Sequence, residues 1–148
     1  MRRKYVPSEG PVLDGEANTA LAGTRATQNA APAAPAAAAT AAIFAAGEVI
    51  NVRTRVPNEQ IRCTLNVERD NAGAAGNGTY SITVDGVAAG TARTGPTGQA
   101  QQGTTPIDSI ITIATPGSHA IGAQVTSVGD VETVLAGARL IVQANEFA

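Results

Sequence analysis

Few residues in this 148-residue chain can carry chemistry: one histidine (His119), one cysteine (Cys63), and twelve Asp and Glu against ten Lys and Arg. A lone imidazole cannot serve every acid–base role, and no serine sits in a Gly-x-Ser-x-Gly elbow. His119 follows Gly117 and Ser118 where a strand begins, so it reads as an edge or turn histidine without a catalytic role. Structural zinc and cupin-type metal sites need sets of imidazole or thiolate ligands, which this composition does not supply. Cys63 shares its alternation with Ile61, Leu65 and Val67, and reads as a small core hydrophobe. Asp130 and Glu132 are close in sequence, but a paired-acid glycosidase needs a set gap across a cleft; both read as residues of a solvated loop. Residues 70–78 offer oxygen ligands for calcium without the order or closing glutamate of an EF-hand, and read as a plain turn. The sequon Asn77-Gly78-Thr79 reads as a chance match. The expectation is a protein that is not an enzyme and holds no cofactor or metal.

The remaining chemical cluster is basic: Arg2, Arg3 and Lys4, followed by Tyr5. Residues 1–42 carry four basic and three acidic groups, whereas residues 43–148 carry six and nine. These four residues are therefore the candidate partner-binding site, anchoring on an acidic neighbour; the competing reading is a solvated terminus. A net charge of −2 argues against nucleic acid, whose phosphates demand a basic surface. Pro7, Glu9, Pro11, Asp14 and Glu16 occupy the place of a signal peptide's apolar segment. The alanine run at 30–46 is broken by Pro32 and Pro35 and is too mild to span a bilayer. A chain made in the cytoplasm, without a membrane partner, is expected.

The elements that would position these residues are strands. Thirty hydrophobic residues are alanine, while Val and Ile total 23 against five Leu, with 17 Thr and 16 Gly. β-Branched side chains fit pleated strands better than helices. Residues 1–42 hold Val6, Val12, Leu13 and Leu21 as almost their only large aliphatics, without a period. They read as an extended low-complexity arm, spanning about 140 Å if stretched, with at most a short helix in the alanine-rich part. From Ile43 the texture changes to alternating runs: Ile50, Val52, Thr54 and Val56; Ile61 to Val67; Tyr80, Ile82 and Val84. Asp85-Gly86 suits a type I′ hairpin turn. Runs at 87–93, 107–113, 119–128, 131–135 and 138–144 bring the count to eight strands, with residues 94–106 as the longest loop. Eight short strands in residues 43–148 fit an all-β, antiparallel, jelly-roll-like sandwich. Alternation alone leaves an immunoglobulin-like sandwich or another Greek-key barrel open.

The last third, TPGSHAIGAQV (115–125) and ARLIVQANEF (138–147), resembles the closing strands of jelly-roll domains in tailed-bacteriophage head decoration (cement) proteins. The likeness covers about 30 residues well and the β-domain loosely, and does not extend to the arm. It implies a non-enzymatic virion component that binds the major capsid protein on the outer head surface as a homotrimer. A thin aliphatic core agrees, because small domains gain from burying strand faces between protomers. The alternative is a fibre or knob protein for host receptor or glycan binding, with the 94–106 loop as its recognition surface. The scarcity of aromatics, Tyr5 and Tyr80 being the tyrosines, speaks against sugar platforms.

Overall fold

Inward positions recur at every second residue along most strands, and two sheets bury them against each other. The computed structural model describes residues 23–71, 76–95 and 103–148. Its strands are β1 (Thr24–Gln28), β2 (Thr40–Ala42), β3 (Ile50–Thr54), β4 (Glu59–Asn71), β5 (Asn77–Val84), β6 (Val87–Thr94), β7 (Gly103–Ile113), β8 (Gly117–Val128), β9 (Glu132–Val134) and β10 (Arg139–Gln143). The first sheet has the order β1-β10-β4-β7, with β9 also on β4; the second has β2-β8-β5-β6, with β3 also on β8.

The antiparallel pairings are nested: β5 with β6, β4 with β7, β3 with β8, and β1 with β10. A chain doubled back at Asp85 and Gly86 and then rolled as a two-stranded ribbon produces this order, which is a jelly roll. Asp85 and Gly86 both have positive φ, 53° and 82°, as a type I′ turn requires. The core is the aliphatic one expected: Ile61, Cys63, Leu65 and Val67 of β4 face Ile82, Ile121 and Val125 across the sheets. Burial pushes the Cys63 thiol up to about 12, so it stays protonated and inert.

Several expectations change. Residues 23–42, read as arm, contribute β1 and β2 to the two sheets, so sandwich structure begins well before Ile43. The hydrophobic pattern gave no sign of β1 because its side chains are mostly exposed. Backbone pairing with β10 holds it, and that needs no buried side chain. The jelly roll therefore has ten strands among the described residues. The alanine-rich stretch is not helical in its described part: Ala38 has φ 63°, and its N–H bonds to the Ser127 carbonyl. Residues 103–106, assigned to the long loop, begin β7, which threonines can do without large aliphatics. At the 70–78 turn, Asp70 and Asn71 end β4 and Asn77 and Gly78 open β5.

The last residues close one edge. Val52 of β3 bridges to Phe147, and the Ala148 N–H bonds to the Asn51 carbonyl. The Arg25 guanidinium lies 4.6 Å from the Phe147 ring centre, tying β1 of one sheet to the covered edge of the other.

The two ends of the sandwich differ. Tight turns between β3 and β4, β5 and β6, and β7 and β8 share one end, called the turn end. The links from β1 to β2, β4 to β5, β6 to β7 and β8 to β9 share the other, called the loop end.

Candidate functional site

Polar chemistry concentrates inside the loop end. Arg69 and Asn71 continue the inward parity of Ile61, Cys63, Leu65 and Val67 along β4, while Glu132 and Val134 are the inward residues of β9. Pairing of β4 with β9 sets Arg69 opposite Val134 and Asn71 opposite Glu132, and Tyr80 reaches the same carboxylate from β5 in the facing sheet. Arg69, Asn71, Tyr80 and Glu132 are all 0% exposed.

Glu132 sits at the centre. Arg69 donates to both its oxygens as a fork, with Nη2 to Oε1 at 2.9 Å and Nε to Oε2. Asn71 Nδ2 donates to Oε1 at 2.9 Å, and the Tyr80 hydroxyl donates to Oε2. Burial pushes the Glu132 carboxyl up, but the hydrogen bonds from Arg69, Tyr80 and Asn71 outweigh it and hold its pKa below the usual carboxylate value. Burial, and then the neighbouring carboxylate, push the Tyr80 hydroxyl above its ordinary range, so it remains a donor. The Glu132 N–H donates to Ser127 Oγ at 2.9 Å, and that hydroxyl donates to the Pro35 carbonyl at 2.9 Å. The cluster thus extends into the segment joining β1 to β2, where buried Asn29 accepts from the Ala138 N–H at 2.7 Å.

Two glycines make room for it. A Cβ on Gly78 would lie 2.6 Å from Glu132 Cγ, and one on Gly95 would lie 2.9 Å from Arg69 Nε. A carboxylate, a phenol and a guanidinium in contact resemble an acid–base site in content, yet all three lack solvent access. What this arrangement does is join the two sheets: the desolvated Glu132 carboxylate is held by Arg69, Asn71 and Tyr80, while the buried Arg69 Nη1 has no hydrogen-bond partner among the described residues. Glu132, read from the sequence as solvated, is thereby corrected. Its loop neighbour Val131 is 36% exposed, and parity turns Glu132 inward.

Groups able to meet a partner lie elsewhere. The outer face of the first sheet carries Ile110, 64% exposed, beside an Arg62–Asp108 fork with bonds of 3.0 and 2.6 Å. A shallow depression there is bordered by Thr24, Gln60, Arg62, Ile110, Gln143 and Asn145. At the turn end, His119 is the third residue of β8, a strand paired with both β3 and β5, and its ring bonds to Asp85. Arg2, Arg3, Lys4 and Tyr5 lie outside the described residues. The buried cluster is what sequence reading missed. The signal was available as Arg69 and Asn71 in phase with four core residues.

No protein-family model and no curated protein matches this chain. Among solved structures it is similar to the structure of the infectious bursal disease virus Gt strain, with TM-score 0.53 and 14% identity, covering 80% of this chain and 32% of that one. It is also similar to the infectious bursal disease virus VP2 subviral particle, with TM-score 0.52 and 13% identity over 82% of this chain and 32% of that one. The chain thus spans about a third of the length of these viral proteins. At such identity the likeness is one of fold, a jelly-roll sandwich.

Proposed function

We propose that this chain is a non-enzymatic structural protein of a virion, a decoration protein that binds the outer surface of a bacteriophage head and bridges neighbouring major capsid proteins. The observation that carries this reading is the jelly roll itself, which overlays on two infectious bursal disease virus structures with TM-scores of 0.53 and 0.52. Two features support it. The Arg69, Tyr80 and Glu132 side chains are sealed between the sheets, and the outer face of the first sheet presents exposed Ile110 among amides and an ion pair. Such a mixed face suits a wet protein interface better than a substrate cleft.

In this reading the protein is a homotrimer on the capsid, synthesised in the host cytoplasm. Arg2, Arg3, Lys4 and Tyr5 anchor on acidic groups of adjacent capsid subunits. Three weak anchors on one trimer act through effective concentration, which multiplies affinity by about 10²–10⁴ over a single contact. Shell stabilisation follows, because expansion would have to break all three contacts together.

Purified protein mixed with isolated shells tests this. Saturable co-sedimentation, with hundreds of copies per particle and raised heat resistance, is the expected outcome, together with a trimeric mass in solution. Removal of residues 2–5 should weaken shell binding while leaving the trimer intact. Adsorption to host cells with few copies per particle would instead identify a receptor-binding knob.

A further inference from the structure

The one histidine of the chain stands between two acceptors. His119 Nδ1 is 2.8 Å from Asp85 Oδ2, in the turn joining β5 to β6, and its Nε2 is 2.9 Å from the Thr115 carbonyl, in the turn joining β7 to β8. A carboxylate and a carbonyl can only accept, so both contacts are hydrogen bonds only when the ring carries two protons. Its side chain is 11% exposed and that of Asp85 is 52% exposed.

We propose that His119 is a proton-operated latch between these two turns. As imidazolium it ties the Thr115 carbonyl to Asp85; as neutral imidazole it keeps one contact and surrenders the other. The carboxylate is the stronger acceptor, so the neutral ring retains Nδ1–H on Asp85 and releases Thr115. Asp85 itself does not move away, because its Oδ1 accepts from the Ala120 N–H at 2.8 Å and its own N–H bonds to the Ala120 carbonyl. The turn at 115–117 is then left to Thr54, whose hydroxyl lies 2.9 Å from the Thr115 carbonyl and 3.3 Å from that of Gly117. At its end Gly117, with φ 137°, opens β8 opposite Thr54.

Asp85 is the ionisable group that bonds the ring. On β3 the residue opposite is Val52, while Arg53 pairs with Ser118 and so belongs to the other face. Glu59, which enters this end from the facing sheet, is occupied by the Arg55 N–H and by Asn145, and Glu146 is forked by Arg55. The Asp85 hydrogen bond raises the His119 pKa above its ordinary value, burial opposes it, and the Thr115 carbonyl adds to the rise. The latch is therefore closed at and below the pH where a free histidine titrates, and opens as pH rises through the folded value.

Because His119 is the chain's single histidine, ring NMR of the full protein reads the latch directly. Its titration should fall above the free-histidine value of about 6.5, and the deprotonated ring should show the Nδ1–H tautomer. Backbone amides of residues 115–117 should shift with the same midpoint. Asp85→Asn should move that midpoint downward, and His119→Gln should abolish the pH dependence of the 115–117 amides. Titration at or below the free value, a deprotonated Nε2–H tautomer, or turn amides that ignore the ring's midpoint would each overturn the latch. The wild-type titration decides even if a variant fails to fold.

Discussion

At the turn end, Arg55 grips Glu146 through two hydrogen bonds while its side chain is 73% exposed; at the loop end, Arg69 grips Glu132 through the same fork with both side chains at 0%. The chemistry is identical and the surroundings are opposite. Water screens the first pair and competes for every donor, so it adds little to stability. Around the second pair no water competes, and loss of either partner strands a charge in the interior. Burial, not the ion pair as such, therefore determines which fork holds the sandwich together.

The comparison breaks most visibly by removing one buried partner. Glu132→Ala should destabilise the fold by roughly 3–5 kcal/mol, seen as a fall in Tm of about 6–20 °C for a domain of this size. Replacing Arg69 and Glu132 together with Met and Leu should cost less than the two single changes added. Gly78→Ala is the next largest: its Cβ meets Glu132, so about 1–3 kcal/mol of overpacking is expected in a denaturant titration.

Acid sharpens the contrast. The Glu132 pKa is held below its unfolded value, so its contribution is present above the ordinary glutamate pKa of about 4.3 and is lost as pH falls through the folded value. Wild type minus Glu132→Gln, followed by chemical denaturation from pH 7 downward, should isolate that loss. Glu146 is also lowered, chiefly by the Arg55 hydrogen bond. The smallest effect is expected there: Glu146→Ala should leave Tm unchanged within the scatter of surface substitutions. A Tm drop as large as that of Glu132→Ala would refute the screening argument.

Legibility followed the same division. Alternating aliphatics gave eight of the strands, and Asp85-Gly86 gave the hinge about which the ribbon is doubled. The strand β1 was illegible because its side chains are almost all exposed and its hold is backbone pairing with a strand more than a hundred residues away. Glu132 was misread because proximity to Gly129 and Asp130 suggested a wet turn, although its parity with Val134 pointed inward. The contact between His119 and Asp85 was invisible for a simpler reason: 34 residues separate them, and only the hairpins bring their turns together.

Side-chain periodicity, turn residues and the shortage of large apolar groups determined by themselves that this protein is a thin-cored antiparallel sandwich. They act locally, through alternation of faces and the φ values a turn demands. Tertiary structure alone decided the order of the strands, the docking of residues 24–42, and the partner of each buried charge. Those depend on which distant backbone edges meet. The backbone N–H and C=O groups that pair are the same at every residue but proline, so the choice of partner edge leaves little trace in the sequence.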